Sequence, residues 1–151
     1  MLPKTGSNGK RVYAKYIYVI RNPKDVVTSF FHHLTNQQEG SFEGTFSEFL
    51  TEFLEGTLPF GKWTDHIKSF LGYSDAGLNI LLLRYADMVA DLRPSVDKIV
   101  QYCELDLTPA EIDELMPSFG FKAMKKNKDL FQPISVGWKK GYGRYLFNNI
   151  I

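Results

Sequence analysis

An almost uninterrupted apolar run that ends at Arg21-Asn22-Pro23 constrains the fold of this chain more than any other feature. Residues 15–21 read KYIYVIR, and their content of Tyr, Ile and Val favours a β-strand. Apolar side chains on both faces are typical of a parallel strand that is covered on both sides. Asn22 suits a helix N-cap, and Pro23 suits the first helical turn. The pattern therefore predicts one half of a β-α-β unit.

The rest of the chain alternates helical patterns with one further strand, Asn79–Arg84 (NILLLR). Apolar spacing and capping residues predict helices from Pro23 to Leu34, between Thr45 and Gly56, from about Gly61 to Leu71, from Pro94 to Cys103, from Pro109 to the residue before Pro117, and from Phe119 to Lys126. This order predicts the α/β class with a parallel sheet. Because two strands are too few for a complete sheet of that kind, either further strands are hidden in the sequence or the chain is part of a larger fold.

Composition narrows the classes of partner. The 151 residues are 44% hydrophobic, which suits one globular domain over residues 1–151. The net charge of +1 argues against a nucleic-acid-binding protein, although it leaves room for a small anion site. A single cysteine, Cys103, excludes an internal disulfide, and no Cys/His spacing suggests a metal site. No apolar run is long enough to span a membrane. We therefore expect a cytoplasmic protein with neither a membrane nor a nucleic acid as partner.

The best candidate for chemistry lies at the carboxyl end of the first strand. Arg21 leaves that strand, and Ser29 lies in the second turn of the helix that follows. Ligands of open parallel sheets bind outside the carboxyl ends of the strands, and a guanidinium beside a hydroxyl suits a phosphate group. Alternatively, Arg21 pairs with Asp25 and Ser29 merely lies on a helix face. The residue pattern leaves both interpretations open.

Four ordered motifs resemble those of the cytosolic sulfotransferases. The first is RNPKD at residues 21–25 with Ser29 eight residues after Arg21. The others are FGKW at 60–63 followed by His66, LRYADM at 83–88, and SFGFKAMKKN at 118–127. Each motif alone is weak, but the four together are specific because they occur in the order that the family has.

This resemblance implies a fold and an activity. The fold would be a partial three-layer α/β/α arrangement with a central parallel sheet, the P-loop NTPase-like sulfotransferase fold. The activity would be transfer of a sulfuryl group from 3′-phosphoadenosine 5′-phosphosulfate (PAPS) to a hydroxyl or amine of a small-molecule acceptor, without a metal. Arg21 and Ser29 would bind the 3′-phosphate, Tyr85 the adenine or ribose side, and Phe121 would lie next to the adenine. Phe119-Gly120 stands where the family usually has Thr-Ser, so neither residue offers a hydroxyl for a contact to the adenine.

The resemblance also shows departures at both ends. The family carries a phosphosulfate-binding lysine loop and a catalytic histidine before the RNPKD motif, whereas the three histidines here are His32, His33 and His66. We therefore expect an N-terminally incomplete domain that retains the part that binds the 3′-phosphate and has little activity alone. We assign no catalytic residue in this sequence. Residues 3–7 (PKTGS) look like the missing loop but lack the strand that should precede it. Lys139-Lys140-Gly141 is either a faint echo of the family's 3′-phosphate loop or a basic solvated turn.

The three histidines have plainer expected roles. His32 and His33 should occupy the surface or last turn of their helix, and His66 should pack beside Trp63. Two alternatives to a sulfotransferase enzyme stay open. One is a non-catalytic nucleotide- or partner-binding member of the family, pairing with another subunit or as a homodimer. The other, ranked last, is a nucleoside kinase-like protein, because no GxxxxGK[ST] pattern is present. The acceptor cannot be read from this sequence.

Overall fold

Two units make up the chain: residues 1–21 with 64–106, and residues 22–63 with 107–151. The computed structural model describes residues 14–75, 79–130 and 135–140. The first unit contains strands β1 (Tyr16–Ile20) and β2 (Ile80–Arg84). The second unit contains most of the helices that were predicted from apolar spacing.

The two strands of the first unit are hydrogen-bonded neighbours and run parallel, as predicted. Their register pairs Tyr16 with Ile80 at one end and Ile20 with Arg84 at the other. The prediction that β1 is covered on both faces is wrong for the described chain, because the side chains of Ile17 and Val19 are 43% and 42% exposed. Ile17 and Val19 alternate with Tyr18 and therefore share one face of the strand, and the described residues cover that face only in part.

Helices α3 (Trp63–Asp75), α4 (Tyr85–Ala90) and α5 (Arg93–Cys103) complete the described elements of this part of the chain. Helix α3 starts at Trp63, the last residue of the 22–63 segment of the second unit. Helix α4 was not predicted, and it follows β2 without an intervening loop. The Tyr102 hydroxyl of α5 connects the amino ends of both strands, because it accepts a hydrogen bond from the Tyr16 amide (3.0 Å) and donates one to the Asn79 carbonyl.

Several helices of the second unit begin or end where the local sequence predicts, but two end later than predicted and another begins two residues later, at Phe121. The described helices of this unit are α1 (Pro23–Thr35), α2 (Phe46–Glu55), α6 (Pro109–Phe119), α7 (Phe121–Lys126) and a 3₁₀ helix (Lys128–Leu130). The Asn22 side chain accepts a hydrogen bond from the Lys24 amide at 2.9 Å and caps α1. Gly56 ends α2 in the left-handed conformation, with φ of 80°, which glycine adopts without steric cost. These caps confirm the predicted start of α1 and the predicted end of α2, while α1 ends at Thr35, one residue later than predicted.

The predicted end of α6 is wrong, since the helix continues through Pro117 to Phe119. A proline inside a helix removes one amide donor. Only two further residues follow Pro117, and the Ser118 hydroxyl donates to the Leu115 carbonyl at 2.6 Å within the same turn. The added hydrogen bond and the short continuation explain how this proline is tolerated.

Residues 135–140 pack against the carboxyl end of α1. The Lys139 amide donates to the Asn36 carbonyl at 2.8 Å, and the Lys140 amide donates to the Asn36 side-chain oxygen at 3.1 Å. Gln38 and Gly137 are joined by a further backbone hydrogen bond of 2.9 Å. Lys139 and Lys140 of the predicted basic turn are thus exposed, and their backbone is hydrogen-bonded to Asn36. Gly141 and residues 3–7 lie outside the described residues.

Within the described ranges, no helix combines the length and the apolar character that crossing a membrane would require.

Candidate functional site

Arg21 and Tyr85 lie side by side at the carboxyl edge of the two-stranded sheet. Ile20 of β1 pairs with Arg84 of β2, so the next residue of each segment leaves the sheet at the same level. The guanidinium carbon of Arg21 is 4.5 Å from the centroid of the Tyr85 ring, which is cation–π distance. The register of two strands that are distant in sequence therefore produces this pair.

The Arg21 side chain retains donors for an anion. Its Nε is buried and has no hydrogen-bond partner within the described part of the chain. The ion pairs among the described residues join Lys15 to Glu104 and Arg93 to Asp97, and Arg21 takes part in neither. A buried donor without a partner costs free energy, which an acceptor bound at this edge would recover. The arrangement suits an oxyanion such as a phosphate.

Ser29 and Phe121 belong to the second unit. Ser29 is half-buried on α1, the helix that Asn22 and Pro23 start immediately after Arg21. Phe121 is the first residue of α7 and is 52% exposed. Of the four site residues predicted from the sequence, the structure thus brings together Arg21 and Tyr85. That all four contact one nucleotide stays a prediction.

His66 lies in an aromatic cluster of the first unit. Its Nδ1 is 3.0 Å from the Tyr18 hydroxyl, and its ring lies 5.1 Å from that of Phe70. The ring of Tyr18 stacks on Phe70 with their centroids 4.2 Å apart, and burial raises the pKa of the Tyr18 phenol. Trp63, the expected neighbour of His66, packs instead against the core of the second unit. Tyr18 is on β1 and His66 is on α3, so only the tertiary structure shows that these two residues are in contact.

His32 and His33 occupy the last turn of α1, as expected. The imidazole of His33 packs edge to face against the Trp138 indole, with 5.0 Å between ring centroids. Burial lowers the pKa of His33, because desolvation disfavours the imidazolium form. Among the described residues, no group of three or more His, Cys, Asp or Glu side chains could hold a metal ion.

The Arg21–Tyr85 contact is the feature that sequence reasoning missed. Both residues were selected separately, each for its match to a motif. The signal that could have linked them is their position, because each residue directly follows a predicted parallel strand. Paired parallel strands end at the same edge of a sheet, so their first flanking residues become neighbours.

Comparison with known protein families extends the match beyond these residues. The model of the sulfotransferase domain family matches residues 5–139. The amine sulfotransferase of Oryctolagus cuniculus is 38% identical over 125 residues, which are 83% of this chain and 40% of the relative. The 3-beta-hydroxysteroid sulfotransferase of Cavia porcellus is 33% identical over 128 residues, which are 85% of this chain and 43% of the relative.

Solved structures show the same similarity. A mouse sulfotransferase complexed with PAP superimposes with a TM-score of 0.69 at 32% identity, over 75% of this chain and 41% of that one. A retinol dehydratase in complex with androsterone and the inactive cofactor PAP has a TM-score of 0.66 at 25% identity, over 85% of this chain and 40% of its own. These matches confirm the predicted fold class.

The chain therefore spans less than half the length of these relatives. Over most of its own length, however, it has their sequence motifs and their fold. The domain match, the sequence identities and the shared α/β architecture with a parallel sheet agree, and the chain belongs to the sulfotransferase family.

Proposed function

We propose that this chain binds the 3′-phosphoadenosine part of PAPS, and that it serves transfer of a sulfuryl group to a hydroxyl or amine of a small acceptor. The observation that carries the proposal is the guanidinium of Arg21, which lies on the Tyr85 ring at the sheet edge and has a buried donor without a partner among the described residues. The mouse relative, which shares the fold, is complexed with PAP. Both facts support a phosphorylated adenosine as the ligand.

Each proposed contact has a chemical reason. Arg21 would donate charge-assisted hydrogen bonds to the 3′-phosphate, and the Ser29 hydroxyl would add a neutral one. Tyr85 and Phe121 would contact the adenosine moiety with their rings. PAPS itself supplies the activated sulfuryl group. The chain's part is to bind and orient the nucleotide, because positioning and charge stabilisation provide most of the acceleration in such transfers.

We expect little turnover by the 151-residue polypeptide itself. The family's sulfuryl-binding lysine and catalytic histidine precede its RNPKD motif, and the histidines of this sequence all follow that motif. His33 packs on Trp138, and His66 lies beside Tyr18. These contacts give both side chains structural roles, so neither is proposed as the general base.

The proposal is tested by titrating the polypeptide with adenosine 3′,5′-bisphosphate in a calorimeter. Replacing Arg21 by Ala should weaken binding by about 10- to 100-fold, the range expected for lost hydrogen bonds to a charged group. Lys24→Ala is the matched control, since this exposed side chain carries the same charge three residues later. We expect Lys24→Ala to bind like wild type.

Two outcomes would contradict the proposal. Equal affinities of wild type and Arg21→Ala would show that the nucleotide binds elsewhere. Absence of binding by a wild-type sample that melts cooperatively would favour a partner-binding protein instead. A homodimer and a cytoplasmic location also stay predictions, and sedimentation of the purified chain would test the first.

A further inference from the structure

Tyr85 contacts Arg21 through the face of its ring. We propose that Tyr85 is a positioning residue, whose ring holds the Arg21 guanidinium in the orientation that receives the 3′-phosphate. This inference rests on the proposed function, and it gives Tyr85 a role beyond the adenosine contact proposed above. The geometric basis is the 4.5 Å separation between the guanidinium carbon and the ring centroid.

The contact with the ring leaves the guanidinium able to bind an anion. A guanidinium that stacks on a ring uses its flat face, whereas its five N–H donors lie in the plane and point outward from the edge. The ring and a phosphate can therefore contact Arg21 at the same time. A carboxylate partner would occupy the donors and neutralise the charge, and Arg21 takes part in neither ion pair of the described residues.

The fold places the ring where it can act as a fixed support. Tyr85 is the first residue of α4, and the preceding Arg84 is still paired with Ile20 of β1. Tyr85 is half-buried, which limits the freedom of its side chain. An arginine side chain has many rotamers, and a support that limits them before binding reduces the entropy lost on binding.

The experiment distinguishes two roles of Tyr85: positioning of the Arg21 guanidinium and direct contact with adenosine. Affinities are measured for adenosine 3′,5′-bisphosphate and for adenosine 5′-monophosphate, and their ratio isolates the contribution of the 3′-phosphate. Tyr85→Leu should lower this ratio by about tenfold, as expected for loss of one partly desolvated cation–π contact. Tyr85→Phe keeps the ring and should keep the ratio, even if its missing hydroxyl weakens both nucleotides equally.

Two further variants sharpen the test. In an Arg21→Ala background, Tyr85→Leu should leave the ratio unchanged, because the residue through which it acts is gone. Val89→Ala, an exposed position on the same helix, should leave the ratio as in wild type. An equal loss of both nucleotides in Tyr85→Leu, with an unchanged ratio, would overturn the positioning role.

A measurement without ligand distinguishes failure of this inference from failure of the proposed function. The Arg21 Nε–H resonance of ¹⁵N-labelled protein can be assigned by its loss in Arg21→Lys. Because the guanidinium carbon to which Nε is bonded lies over the Tyr85 ring, the Nε–H proton signal should be shifted upfield in wild type and Tyr85→Phe, and not in Tyr85→Leu. The same position in all three spectra would refute the stacking even in a protein that binds no nucleotide.

Discussion

At the residue scale, His33 shows how one contact gives a polar side chain a structural role. It lies in the last turn of α1, where the helix dipole would favour a positively charged side chain. Yet burial lowers its pKa, and its ring packs against the Trp138 indole. Packing with residues 135–140 thus favours the neutral imidazole over the charged form that the helix end alone would prefer.

This balance predicts acid sensitivity. The folded chain binds the proton less readily than the unfolded chain, whose His33 has the ordinary pKa of 6.5. The contribution of the neutral His33 to the free energy of unfolding is therefore fully present above pH 6.5, and it decreases as the pH falls below that value. We expect the melting temperature to fall less between pH 7.5 and 5.5 in His33→Phe, which keeps an aromatic ring against Trp138. Identical pH profiles for both proteins would contradict this role of His33.

At the element scale, α2 and α6 begin with the same capping box. The Thr45 hydroxyl accepts from the Glu48 amide at 3.3 Å, while the Thr45 amide donates to the Glu48 carboxylate at 2.7 Å. Thr108 and Glu111 repeat both distances on α6. Hydrogen bonds from the backbone and then the hydroxyl of the threonine lower the pKa of each glutamate. Both helix starts are therefore determined within four residues.

Removing one cap should therefore cost a predictable amount. Thr45→Ala is expected to lower the free energy of unfolding by about 1 kcal/mol at pH 7. Because the Glu48 pKa is depressed below its ordinary 4.5, its stabilisation is present above that pH and is lost as the pH falls further. The difference between wild type and variant in urea titrations should thus shrink at acidic pH. Thr51→Ala, on the exposed side of the same helix, is the control, and an equal loss there would argue against capping.

At the scale of the whole molecule, aromatic side chains dominate the hydrophobic core of the second unit. Phe49 is fully buried, and the rings of Phe30, Phe31 and Phe42 contact it edge to face at centroid distances of 5.0–5.6 Å. Edge-to-face contacts are a favoured geometry for aromatic pairs. These rings join α1, α2 and the loop between them into a hydrophobic core.

The core makes Phe49 the most sensitive of these positions. Phe49→Ala should lower the free energy of unfolding by about 3–5 kcal/mol, because it removes a buried ring and leaves a cavity. Leu54→Ala on the same helix is the matched control. Its side chain is 65% exposed, so we expect a change within about 0.5 kcal/mol. Denaturant titration measures both, and similar losses would show that this cluster does not dominate stability.

Most element bounds and both helix-capping boxes could be predicted from the sequence, because capping and apolar spacing act over a few residues. The coverage of β1, the passage of α6 through Pro117 and the neighbours of His66 could not. Exposure of Ile17 depends on which elements pack on the strand, and the position of Tyr18 beside His66 depends on how β1 meets α3. Local patterns carry no information about such pairings.

The sequence by itself determined the α/β class, the order of the motifs and the choice of Arg21 and Tyr85 as candidates. Only the tertiary structure decided that Arg21 lies on the ring of Tyr85 and that its buried donor has no partner in the part of the chain that the structure describes. The physical reason is that strand register, set by backbone hydrogen bonds between segments far apart in the chain, brings the two residues to one edge of the sheet.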